Sequence, residues 1–147
     1  MLLVIYYGGM QSVQDLKIYS NAMKLLEPLQ RLANLIPPSD FRLKVQLLNA
    51  GRSIPAQIAE GFAKRRSQSE YRRFLEMAIG SSDETTAHLR IVQIAQFPKI
   101  KNVTCQKLIE NYIILSKQLN KYIQAVTNNI RNQKSEIRLP IVVEERS

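Results

Sequence analysis

The stretch CQKLIENYIILSKQLNKYIQAV, residues 105–126, decides the fold of this 147-residue chain. Apolar side chains recur in it at alternating intervals of three and four residues, which places them on one face of an α-helix. They are Cys105, Leu108, Tyr112, Leu115, Leu119, Tyr122 and Val126. A second apolar row flanks the first and consists of Ile109, Ile113, Ile123 and Ile130. Two rows are wider than one packing partner requires. The stretch therefore predicts a helix near 103–131 that contacts its own bundle and a further surface, such as another subunit.

Three upstream segments show the same helical periodicity. They lie near 12–36, 39–61 and 68–96. The chain has 5 Gly and 6 Pro, too few for the frequent turns of a sandwich or barrel. We therefore expect an all-α fold, an antiparallel up-down four-helix bundle with short extended N- and C-terminal tails. The bundle domain would span 10–131, with an N-terminal extension at 1–9 and an extended C-terminal tail at 132–147.

Two glycines and one serine mark features of this bundle. Gly61, which follows Glu60, fits the left-handed position that ends the second helix. Ser67 and Glu70 then match a capping box at the start of the third helix. Gly80 lies inside the third helix, where it costs roughly 1 kcal/mol relative to Ala. That cost indicates a close crossing with another helix.

Composition excludes several classes of protein. The single cysteine, Cys105, cannot form an intramolecular disulfide and is predicted to be a buried structural residue. No stretch approaches the ~20 apolar residues that a membrane span needs, so no membrane partner is expected. The apolar run Met1 to Tyr7 lacks the basic leader and cleavage site of a secretory signal. These features favour a cytoplasmic protein.

Catalytic and metal-binding motifs are missing from the sequence. Glu84 and His88 are four residues apart, but no second histidine exists to complete a helical-bundle metal site. Cys105 and His88 lie on separate predicted helices, which gives no geometric reason for a catalytic pair. We expect no enzymatic activity, no catalytic residue, no metal site and no cofactor.

Basic residues give the best functional signal. The net charge is +9, and residues 52–73 carry six positive and two negative charges. Cations beside a helix N-terminus suit phosphate groups, so these six are predicted to bind nucleic acid: Arg52, Lys64, Arg65, Arg66, Arg72 and Arg73. A solvated corner between helices, with charges that serve solubility, is an equally open interpretation. A competing surface on the fourth helix comprises Lys107, Lys117 and Lys121.

Two longer elements carry a family resemblance. Residues 53–62 read SIPAQIAEGF and residues 71–81 read YRRFLEMAIGS, while residues 15–19 read DLKIY. Together they resemble the four-helix-bundle family of proteins encoded in intervening sequences of bacterial 23S ribosomal RNA genes, over roughly residues 10–130. Gln57 stands where that family usually has Asn. The polar stretch SDETT at 82–86 replaces a leucine-rich one, which leaves the packing of the third helix open.

The resemblance implies an antiparallel bundle that assembles into a ring-like homopentamer. Related proteins include the accessory variability determinant of diversity-generating retroelements, which binds nucleic acid and a reverse transcriptase. We therefore expect a non-catalytic, nucleic-acid-binding homo-oligomer that could serve as an accessory subunit to a reverse transcriptase or to RNA. The alternative is a structural or protein-interaction scaffold with no role in binding nucleic acid.

Overall fold

The computed structural model describes residues 12–138, with side chains described as far as residue 128. It contains four long helices, which are α1 (Lys17–Ala33), α2 (Phe41–Ala63), α3 (Gln68–Ala95) and α4 (Asn102–Arg138). Short 3-10 turns at Val13–Asp15 and Pro38–Asp40 precede α1 and α2. Each helix packs against the next one, and α1 also contacts α4. The described part of the chain has no strand, so the predicted all-α four-helix bundle is confirmed.

Helix α4 is longer than predicted. It continues to Arg138, so residues 132–138 are helical where an extended tail was expected. The sequence from Thr127 to Leu139 contains neither Gly nor Pro, and no residue in it obliges the helix to stop before Pro140. The predicted extension at 1–9 and the rest of the predicted tail, 139–147, lie outside the described residues.

The first apolar row of α4, from Cys105 to Val126, forms one side of the core, and we call it the seam of α4. Leu108, Leu115 and Leu119 are 3%, 1% and 0% exposed, as the three-and-four spacing predicts. Three members of the second apolar row lie against the bundle itself, while the side chain of the fourth, Ile130, lies outside the described residues, so contact with another subunit stays a prediction. Ile109 and Ile123 are buried in the bundle's own core, and Ile113 packs against it half-buried. A helix in a bundle has two neighbours, here α1 and α3, and two neighbours require a wide apolar face.

Both predictions about glycines were wrong, the left-handed cap at Gly61 and the close helix crossing at Gly80. Gly61 does not end α2, which continues to Ala63; it allows α2 and α3 to approach closely. A Cβ at Gly61 would lie 2.8 Å from the Cβ of Phe74 and 3.3 Å from the Cδ1 of Tyr71, both on α3. Gly80 has no atom within 4 Å of the position a Cβ would take, so it does not mark a crossing.

These two glycines should respond in opposite ways to alanine. Gly61→Ala is expected to lower the free energy of unfolding by up to roughly 2 kcal/mol, because overpacking costs about 1–3 kcal/mol and better helix propensity offsets about 1 kcal/mol. Gly80→Ala adds the same methyl group in open space and should raise stability by up to about 1 kcal/mol. Urea denaturation of both variants measures the difference. Changes of the same sign would show that Gly61 does not set the distance between α2 and α3.

In the polar stretch of α3 at 81–86, buried hydroxyl groups donate hydrogen bonds within α3 and to α4. Ser81, Ser82, Thr85 and Thr86 are buried. The hydroxyl of Thr85 donates to the carbonyl of Ser81 at 2.8 Å, and that of Ser82 donates across the bundle to the carbonyl of Tyr112 at 3.1 Å. The Oγ of Ser116 on α4 lies 2.8 Å from the Oγ of Ser82. Hydrogen bonds between α3 and α4 thus replace the leucine contacts that the sequence lacks at 82–86.

Candidate nucleic-acid interface

The turn between α2 and α3 brings five cations together. Helix α2 ends at Ala63, and the backbone N–H of Lys64 still bonds to the carbonyl of Glu60 at 3.3 Å. Helix α3 begins shortly afterwards, with Ser67 as its N-cap, whose hydroxyl accepts the backbone N–H of Glu70 at 3.4 Å. The chain therefore reverses direction within four residues, 64–67. We call the resulting cluster the basic corner. It comprises Lys64, Arg65, Arg66, Arg72 and Arg73.

Three of these cations are paired with carboxylates one helical turn away. The Nζ of Lys64 lies 3.4 Å from Glu60, the Nε of Arg72 lies 3.1 Å from Glu76, and the Nε of Arg73 lies 2.9 Å from Glu70. All six side chains are about half exposed, and ion pairs of that kind contribute only about 0–1 kcal/mol each. A phosphate group could therefore replace a glutamate at small cost. Arg66 makes no ion pair with a described residue.

Two phenylalanine rings hold the corner's long side chains in place. The ring of Phe74 lies under two cations, with Lys64 Nζ at 4.8 Å and Arg73 Cζ at 4.5 Å from its centroid. The guanidinium of Arg65 lies 4.0 Å from the centroid of Phe62 and donates to that residue's carbonyl at 2.9 Å. Such contacts restrict the side chains while leaving the charge accessible. The rings were not identified from the sequence, although Phe62 lies two residues before Lys64 and Phe74 directly follows Arg73.

Arg52 is not part of the basic corner. It lies on α2 about 18 Å from Lys64 along the helix axis, at a rise of 1.5 Å per residue. Its Nη2 donates to the Oε1 of Gln30 on α1 at 2.8 Å. The structure therefore brings together five of the six predicted site residues and places the sixth on another part of the surface.

The lysines of the competing surface are exposed on α4. Lys107, Lys117 and Lys121 make no ion pair with a described residue. They differ in this from the paired cations of the basic corner. The sequence contains the signal for this difference at Lys117 and Lys121, which have no Asp or Glu three or four residues away. Lys107 has Glu110 three residues away on the same helix and still makes no ion pair with it.

Cys105 and His88 are each engaged elsewhere. Cys105 is fully buried and its Sγ donates to the carbonyl of Leu89 at 3.2 Å. Burial raises the pKa of this thiol to about 11, so the thiolate is disfavoured. The Nε2 of His88 lies 3.3 Å from Glu84. Among the described residues, no three His, Cys, Asp or Glu side chains are grouped to hold a metal ion. None of the helices described is long and apolar enough to cross a membrane.

Fold and site together define an all-α four-helix bundle with a basic turn between its second and third helices. The family described as 23S rRNA-intervening sequence protein matches residues 14–121, which is more than half of the chain. The chain belongs to this family, and the resemblance carried by residues 53–62 and 71–81 is confirmed. A comparison with curated proteins gives no match.

Proposed function

We propose that this protein is a non-catalytic, cytoplasmic homo-oligomer that binds nucleic acid. The observation that carries the proposal is the basic corner, where five cations meet beside the N-terminus of α3 in a chain of net charge +9. Their ion pairs are weak enough for phosphates to displace, and a helix N-terminus favours anions. The family's description, an rRNA-intervening sequence protein, makes RNA the first nucleic acid to test. The proposal extends to a role as an accessory subunit to a reverse transcriptase or to RNA.

Exposed apolar side chains support the oligomer part of the proposal. Phe41, Ile94 and Val103 are 63%, 82% and 72% exposed. Phe41 begins α2, Ile94 lies near the end of α3 and Val103 lies near the start of α4, so the antiparallel bundle places all three at one end. Apolar side chains grouped on a surface are typical of sites that bind another protein. A second copy of the chain is the partner we propose, in a pentamer as the family resemblance implies. The same observation favours the second candidate function, a protein-interaction scaffold without nucleic acid.

The proposal is tested by the triple variant Lys64→Ala/Arg65→Ala/Arg66→Ala in the full chain. We expect weaker binding to every RNA and DNA sequence alike, because phosphate contacts carry no sequence information. The salt dependence should also flatten, by about 0.9 log–log unit for each duplex phosphate that the variant no longer neutralises and about 0.7 on a single strand. Fluorescence titration over a salt series measures both quantities.

A matched control removes three exposed cations elsewhere, Arg31→Ala/Arg42→Ala/Lys99→Ala. Both variants have the same net charge, so an equal drop in affinity would show that only the total charge matters. Unchanged affinity and slope in the first variant would end the assignment to the basic corner. Light scattering on the same samples gives the mass, and a value near the 16.9 kDa monomer at micromolar concentration would refute assembly.

A further inference from the structure

Helices α1 and α4 meet along a groove whose two sides come from residues far apart in the sequence, such as Asn21 and Gln118. Two adjoining cavities of about 300 and 280 Å³ form it. Asn21 on α1 and Gln118 on α4 line both cavities, and the Nδ2 of Asn21 donates to the Oε1 of Gln118 at 3.0 Å between them. Each cavity is near the lower end of the range for small-ligand pockets. We call this feature the α1–α4 groove.

Three lysines surround the groove without an ion-pair partner among the described residues. Lys17 and Lys121 line the first cavity and Lys24 lines the second. All three are exposed, and no Asp or Glu of the described chain lines either cavity. The basic corner, in contrast, sets its cations beside three glutamates, at positions 60, 70 and 76. An anion at the groove would displace only water, whereas at the corner it must also displace carboxylates.

Between the lysines the walls are largely apolar. Ile114 is 52% exposed and Leu25 is half-buried in the second cavity. Tyr122 is half-buried in the first cavity, and its hydroxyl lies 2.6 Å from that of Tyr71 on α3. That hydrogen bond holds the Tyr122 ring against the core. A fixed aromatic and apolar wall between cations is the arrangement that binds unpaired bases together with their phosphates.

We propose that the α1–α4 groove binds a single strand of nucleic acid, with Lys17, Lys24 and Lys121 on the phosphates and the apolar walls on the bases. The inference rests on the proposed function and adds the site and the form of the ligand. A duplex keeps its bases stacked and paired, and it offers a protein only its backbone and groove edges. It could reach the lysines but could not fill the cavities. An unpaired strand can do both.

The test compares a fluorescein-labelled single strand of RNA with a duplex of the same length. In the full chain, Lys17→Ala/Lys24→Ala/Lys121→Ala should weaken single-strand binding at least tenfold at about 100 mM salt, within the range where phosphate contacts dominate affinity. It should flatten the single-strand salt slope by about two log–log units, from three phosphates at about 0.7 each. Duplex affinity should change less, because a duplex makes no base contacts at the cavities and can bind the basic corner instead. Ala125→Glu, which keeps the lysines and adds a carboxylate to the first cavity, should weaken single-strand binding selectively.

The outcomes separate this inference from the proposed function. If the lysine variant binds the single strand as the unaltered protein does, while the Lys64 to Arg66 variant binds more weakly, the groove assignment fails and nucleic-acid binding stands. Equal weakening on single strand and duplex would overturn the single-strand assignment in the same way. If the unaltered protein binds neither nucleic acid, the proposed function fails, and the groove assignment fails with it.

Discussion

Replacing Leu119 with Ala should lower the free energy of unfolding by roughly 2–5 kcal/mol. Leu119 is fully buried in the α4 seam, so the substitution removes apolar packing and leaves a cavity. Leu and Ala are both good helix formers, so helix propensity contributes little to the effect. Urea denaturation followed by circular dichroism measures it.

Ile114→Ala on the same helix is the control. Ile114 is 52% exposed, and its truncation should change stability by less than about 0.5 kcal/mol. A change below about 0.5 kcal/mol at Leu119 as well, or an equal change at both positions, would show that the seam is not the face on which the bundle is built.

The seam was predictable because spacing alone determines which side chains share a helix face. The same is true of Ser67, whose position before a helix and three residues from Glu70 specifies a cap. Both signals are local: the residues that interact are close in the sequence, and no knowledge of the neighbouring helices is needed. The existence of four helices followed from such signals.

Glycine carries no comparable signal. A glycine near a helix end can be a left-handed cap or a point of close approach, and the sequence of α2 alone does not distinguish them. At Gly61 the deciding residues are Tyr71 and Phe74, which belong to the next helix. Gly80 faces open space and so marks no close approach, and this too depends on where the other helices lie.

The candidate site likewise has one part that the sequence predicts and one part that only the structure shows. The basic corner joins residues 64–66 to residues 72–73, which a single turn brings together, and it was found from the sequence. The α1–α4 groove joins Lys17 to Lys121, which are far apart in the sequence, and only the packed bundle shows that they are neighbours. Arg52 was assigned to the corner because it is close in the sequence, but helix α2 carries it away.

Nucleic-acid affinity should fall steeply as salt is added. The five cations of the basic corner and the three lysines of the groove could together neutralise up to eight phosphates in each subunit. Binding that neutralises about 6–10 phosphates weakens by about 10³–10⁵ between 50 and 200 mM salt, because each neutralised phosphate releases condensed counterions. Several subunits on one strand would steepen the dependence further.

The salt dependence of RNA binding by the unaltered protein is therefore the most direct test of its proposed function. The logarithm of the association constant should fall linearly with the logarithm of salt concentration, with a slope of about −4 or steeper for a single strand. A flat dependence, or no binding at about 50 mM salt, would contradict nucleic-acid binding and leave the protein-interaction scaffold as the function to pursue.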